Sequence, residues 1–279
     1  AVGLPANEVG NTEVGHLAIG TGRVMNQGLK RINVAIAEGT FYDNEAFKKA
    51  TEHVKSNNSK LHIIGLVGSG QVHSSIQHLF ALLQFCKNQE MDGKVYLHLF
   101  TDGRDSAPND AIEILKQINS HTENLKIGSI ASVCGRYYAM DRDGRWDRTQ
   151  KAYKAIVEGQ GLFTNLAEEA ISASYAKSVT DEFIEPTVIL KDGKPVATVD
   201  DRDAVIFFNY RIDRPRQLTM AIVMKDFEHL NKFEFGYVSD VEKNNNILFS
   251  STFKRDKVVN NLFFVTMTEY EKELTAVSA

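Results

Sequence analysis

Four short apolar runs, separated by stretches of helical period, restrict the fold more than any other feature of this chain. Residues Lys60 to Val67 (KLHIIGLV), Lys94 to Phe100 (KVYLHLF), Lys126 to Val133 (KIGSIASV) and Ala204 to Tyr210 (AVIFFNY) have the length and content of buried strands. Between them, Ser74 to Asn88 spaces Ile76, Leu79, Leu82, Leu83 and Cys86 by threes and fours. Pro108 to Asn119 does the same with Ile112, Leu115 and Ile118 behind a helix-opening proline. Strand alternating with helix predicts an α/β fold with a largely parallel sheet flanked by helices. Asp147 to Glu158 and Ala167 to Lys177 read as further helices, Lys191 to Asp203 as hairpin and loop, and Leu262 to Met267 as a last strand. Leu230 to Asn261 is polar and carries little pattern.

This alternation gives the chain's polar residues their meaning. His73 follows the first strand, Arg104 and Asp105 the second, Arg136 the third, and Arg211 the fourth. Open α/β sheets bind ligands at the C-terminal ends of their strands. The densest segment, Gly135-Arg136-Tyr137-Tyr138-Ala139-Met140-Asp141-Arg142-Asp143, sets Arg136 and Arg142 among tyrosines and a methionine, which predicts a partly buried loop suited to bidentate capture of phosphate or carboxylate. Arg145 and Arg148 read as solvated ion pairs on a helix start. Arg211 and Arg214, three apart, would share the N-terminal face of a helix beginning near Asp213, although either could simply pair with Asp213. In Thr101-Asp102-Gly103-Arg104-Asp105, Asp102 reads as a turn and helix-start carboxylate, whereas Arg104 and Asp105 could hold an anion and a hydroxyl side by side.

The net charge of −4 is mild and spread along 279 residues, which argues against a nucleic-acid or polybasic membrane partner and for a small molecule. No apolar run reaches membrane-span length and no signal-peptide pattern opens the chain. Cys86 and Cys134 lie in apolar surroundings without metal-type spacing, as free buried thiols in a reducing compartment would, so a cytoplasmic location is expected. The eight histidines show no His-x-x-x-His spacing. Thr12, in Gly10-Asn11-Thr12-Glu13-Val14-Gly15-His16, fits a helix cap and a nucleophile equally well on local grounds. A motif so near a first residue that is Ala1 suggests a piece of something longer.

Together, GLPxxxxGNTEVGHLxIGxGR, GLVxSGxVHS, TDGRD, SVxGRYYAMDRDxRW, FNYRxDRxRQL and TMTEY resemble, in order and near spacing over almost the whole chain, the cofactor-independent (2,3-bisphosphoglycerate-independent) phosphoglycerate mutases. The resemblance implies an alkaline-phosphatase-like domain with two Mn2+ ions and the nucleophile, and an inserted α/β domain that holds the glycerate. It places Thr12 at the phosphorylated nucleophile, normally serine, and so at a metal. It places His73, Arg104, Asp105, Arg136, Arg142, Arg211 and Arg214 at substrate-binding positions. The family's Asp-Gly segment would precede Ala1, and its Asp-His and His metal ligands and substrate lysine would follow Ala279. Residues 1–28 are then expected to be a phosphatase-like fragment, 29–261 the inserted domain and 262–279 a return to the phosphatase-like domain. The expected activity is the glycolytic isomerisation of 3-phosphoglycerate and 2-phosphoglycerate by a monomer that needs no 2,3-bisphosphoglycerate, with this chain alone inactive. A phosphoglycerate-binding module without turnover and a related phosphomutase or phosphatase remain the alternatives. Two departures stand out: threonine crowds attack with its β-methyl, and Gly68-Ser69-Gly70-Gln71-Val72-His73 lacks an aspartate usual in the family's loop.

Overall fold

A computed structural model describes residues 19–20, 22, 28–230, 252–271 and 274–279. Thr12 and the polar run at 231–251 lie outside the described residues. The strands are β1 (Leu61–Val67), β2 (Val95–Thr101), β3 (Ser129–Gly135), β4 (Leu162–Thr164), β5 (Thr187–Lys191), β6 (Lys194–Pro195), β7 (Ala204–Phe207), β8 (Phe263–Thr266) and β9 (Val277–Ser278). They form one sheet in the order β4-β5-β3-β2-β1-β7-β8-β9, with β6 paired to β5. From β3 across to β9 every pairing is parallel. The exception is β5, antiparallel to β3 and to β6. The β5–β6 hairpin turns where the sequence placed one.

The helices are α1 (Gly28–Glu38), α2 (Glu45–Asn57), α3 (Ile76–Asn88), α4 (Ala111–Leu125), α5 (Arg136–Ala139), α6 (Trp146–Tyr153), continued by a π-turn to Glu158, α7 (Ala167–Tyr175) and α8 (Arg216–Val223). They cover both faces of the sheet, because its central strands are apolar on both sides. On one face, Leu61 and Ile63 of β1 and Leu97 and Leu99 of β2 pack with Phe47, Leu82, Leu115 and Ile171 of α2, α3, α4 and α7. On the other, Ile64, Phe100 and Phe207 pack with Trp146, Tyr153, Leu218 and Met220 of α6 and α8. Cys86 and Cys134 are free and buried, and burial pushes the Cys86 thiol up to about 12.

Three local expectations are corrected. Helix α4 starts at Ala111, not at Pro108, because the Asp181 carboxylate accepts from Asp110 N at 2.9 Å and Ala111 N at 3.0 Å and so caps it from a distant segment. Asp102 is therefore no helix-start carboxylate. Residues 213–215 form a turn and α8 begins only at Arg216, since Arg214 precedes Pro215 and the proline ring disfavours helical geometry at the residue before it. Arg211 and Arg214 accordingly do not share a helix face.

Candidate functional site

Parallel strands deliver their C-terminal ends to one edge of the sheet, and the connections leaving β1, β2, β3 and β7 meet there. The second connection is held tightly. Gly103 sits at φ +63°, and a Cβ on it would lie 2.6 Å from Glu182 N and 2.9 Å from Asp181 Cβ. Thr101 Oγ1 donates to Asp181 O at 2.7 Å, and Gly135 N, at the end of β3, donates to Ile184 O at 2.7 Å. The 181–184 segment thus seats the ends of β2 and β3 together. Sequence reasoning passed over it, and its signal there is faint: two glycines far along the chain that can tolerate no side chain.

On this base Asp102, fully buried, accepts from Arg104 N at 3.2 Å, Asp105 N at 3.1 Å and Ser106 Oγ at 2.9 Å, fixing the turn. Arg136 is the first residue of α5 rather than a loop residue. Its Nη1 donates to Asp102 Oδ1 and Asp105 Oδ2, both at 2.6 Å. Burial works to raise the Asp102 carboxyl, but the hydrogen bonds from Arg136 and the Asp105 N–H overcome it and hold the group below its ordinary value. Arg136 is correspondingly raised against its own burial.

The exposure of the arginine side chains divides them: 2% for Arg136, against 45% for Arg142, 48% for Arg211 and 55% for Arg104. Arg142 is therefore more open than its tyrosine-rich setting suggests. Arg142 Nη1 donates to Asp213 Oδ2 at 2.6 Å, and Arg211 Nε donates to Asp213 Oδ1 at 2.9 Å. Arg104 Nη1 lies 3.6 Å from Glu182 Oε1. Arg214 Nη1 donates to Met140 O at 3.2 Å. Burial lowers Arg214 first, and the nearby charges of Arg136, Arg142 and Arg104 lower it further. Three guanidinium groups thus act on a fourth across this edge. Arg145 pairs with Asp141 and Asp143, and Arg148 Nη1 lies 3.5 Å from Asp141 Oδ1, both as expected; Arg148 also stacks its guanidinium 3.7 Å from the Tyr137 ring centroid.

His73 is buried between two carboxylates, Nε2 3.7 Å from Asp105 Oδ2 and Nδ1 3.8 Å from Asp213 Oδ1, both beyond hydrogen-bond reach. Nδ1 has no hydrogen-bond partner among the described residues. Its backbone carbonyl accepts from Tyr210 N at 2.9 Å, which ties the loop after β1 to the loop after β7. Burial, then the charges of Arg136 and Arg211, lower His73 to about 4 despite the two carboxylates, so the imidazole is neutral at pH 7. The structure brings His73, Arg104, Asp105, Arg136, Arg142, Arg211 and Arg214 to one edge. Thr12 falls outside the described residues. Asp102 and Glu182 complete the charge pattern, and the sequence assigned neither a role in the site.

The family model described as the BPG-independent PGAM N-terminus matches residues 32–272. The chain belongs to the BPG-independent phosphoglycerate mutase family. Among curated relatives, the 2,3-bisphosphoglycerate-independent phosphoglycerate mutase of Chloroflexus aggregans is 48% identical over 279 residues, covering 100% of this chain and 51% of that protein. That of Clostridium acetobutylicum is 46% identical over 277 residues, covering 99% of this chain and 49% of that protein. A crystal structure of Leishmania mexicana phosphoglycerate mutase, determined at low cobalt concentration, shares the fold with a TM-score of 0.80 and 27% identity, covering 98% of this chain and 47% of that one. The chain spans about half the length of the curated relatives it matches. No helix among the described residues is long and apolar enough to cross a membrane.

Proposed function

We propose that the protein carrying this chain interconverts 3-phosphoglycerate and 2-phosphoglycerate through a phosphoenzyme, and that the arginine-lined edge holds the glycerate while its phosphoryl group is exchanged. The observation that carries this reading is the arrangement around buried His73, whose ring lies between Asp105 and Asp213 while Arg136 grips the first carboxylate and Arg142 and Arg211 the second. Guanidinium forks match carboxylate and phosphate oxygens two at a time, and a phosphoglycerate presents both groups. Asp105 already engages Arg136 through one oxygen, and a carboxylate can accept a glycerate hydroxyl as well. Neutral His73 can donate at one ring nitrogen and accept at the other, which suits a hydrogen bond or proton transfer beside the phosphate. Exchange without loss to water requires that the glycerate stay bound while it turns, and several arginines make that retention possible.

Residues 29–261 form the substrate-holding domain in this reading, 1–28 carry the nucleophile Thr12, and 262–279 return toward the catalytic domain. The return begins as β8, which pairs with β7 on the same sheet. The resemblance also implies two Mn2+ ions. Among the described residues no group of three or more His, Cys, Asp or Glu could hold a metal ion, so these residues do not fit such a site and no step is derived through one. A monomer acting in the cytoplasm completes the reading.

The test is mass spectrometry of the full natural protein after incubation with 3-phosphoglycerate. The expected result is one phosphoryl adduct on the Thr12 peptide, retained in Thr12→Ser and lost in Thr12→Ala. An adduct that persists in Thr12→Ala, or a wild-type protein that interconverts nothing, contradicts the proposal.

A further inference from the structure

Asp213 lies in the turn before α8, and its carboxylate is the meeting point of two arginines that arrive from different connections. Arg142 comes from the segment between α5 and α6 and donates through Nη1 at 2.6 Å. Arg211 comes from the loop after β7 and donates through Nε at 2.9 Å and Nη2 at 3.4 Å, an arrangement of two parallel bonds. Nearly half of each arginine side chain is exposed, so nothing in the packing restrains either guanidinium as burial restrains Arg136. A free arginine carries rotamer entropy that ligand binding would otherwise have to remove. Burial opposes the charge on Asp213, yet Arg211, Arg142 and the facing His73 keep its carboxyl below the ordinary value, so it is ionised at pH 7.

We infer that Asp213 is a positioning residue of the phosphoglycerate site, one that holds Arg142 and Arg211 together before ligand arrives; the inference rests on the function proposed above. A guanidinium has five N–H donors. Arg142 spends one on Asp213 and Arg211 spends two, which leaves donors on both for an incoming anion while the carboxylate keeps its grip. Two effects of Asp213 on binding therefore oppose each other. Its charge repels an anion, and its hydrogen bonds pre-order two cations that attract one. The short distances to both arginines favour the second effect.

Isothermal titration of the full natural protein with 3-phosphoglycerate decides between them, using wild type, Asp213→Asn, Arg211→Gln and the double variant. Asparagine keeps the shape and loses the charge, so affinity is expected to fall about tenfold in Asp213→Asn. With Arg211 already replaced, only the hold on Arg142 remains to be lost, and the same change should cost no more than about threefold. Unchanged or tighter binding by Asp213→Asn overturns the inference, and so does a full tenfold loss in the Arg211→Gln background, which would place the effect in the fold rather than in the arginine. A wild-type protein that binds no phosphoglycerate overturns the proposed function itself and this inference with it.

Discussion

Arg136 and Arg211 belong to one cluster but differ sharply in burial. Arg136 and its partner Asp102 are almost wholly enclosed, so removing the cation strands a carboxylate in a place water cannot reach. Such a loss costs about 3–5 kcal/mol. Arg211 pairs with Asp213 near solvent, where an ion pair is worth about 0–1 kcal/mol. Urea denaturation should accordingly show a large fall in midpoint for Arg136→Met and a small one for Arg211→Met; equal effects would mean that the Asp102 pair does not hold the turn. The arginines themselves were legible in the sequence because their type and their place after strands are local facts. Their partners were not. Asp102 looked like an ordinary turn residue until the fold brought β3 beside β2, and Glu182 meets Arg104 only because Gly103 and Gly135 admit the distant segment that carries it.

The strands carry a second polar feature, away from the site. Asp203, at the entrance to β7, lies 3.1 Å from His62 Nε2; His62 Nδ1 lies 3.0 Å from His98 Nε2; and His98 Nδ1 lies 2.8 Å from the Ser132 hydroxyl, so that an ionised Asp203 beside two neutral imidazoles sets every donor toward the carboxylate. This chain of bonds crosses β1, β2 and β3 inside the sheet. Burial lowers both histidines: it outweighs Asp203 at His62, and at His98 the charges of His62 and Lys60 add to it. Since the folded state resists protonation, the stability tied to these groups is complete above the unfolded value of about 6.5 and is lost as pH falls below it, by at most about 1.4 kcal/mol per pH unit for each histidine. Thermal midpoints measured from about pH 7.5 down to about pH 5 should therefore decline, and less steeply in His98→Gln, which removes one of the titrating groups. Identical slopes would contradict this account of the relay. Strand positions were readable from apolar runs, whereas helix starts were misplaced where a tertiary contact set them. Asp181 moves the start of α4 three residues on, and Pro215 delays α8. Strands β4 and β5 and helices α1 and α2 were not named from the sequence. Their short apolar stretches gain meaning only from the strands and the sheet face they pack against.

At the scale of the whole molecule, the parallel order of β3, β2, β1 and β7 gathers residues from distant parts of the chain onto one edge, and so the spacing of arginines after strands could be read as a site before the fold was known. The antiparallel β5 was not foreseen, because a short hairpin strand leaves the same apolar signature in either direction. The central claim is that this edge binds phosphoglycerate through its arginines, and equilibrium titration of the full natural protein with 3-phosphoglycerate at two ionic strengths tests it most directly. Wild type should bind, with affinity falling as salt rises. Arg214→Met should lose at least about tenfold, since a charge-assisted bidentate contact goes with it, while Arg31→Met, on the exposed surface of α1, should match wild type. Equal affinity for wild type and Arg214→Met would contradict the account.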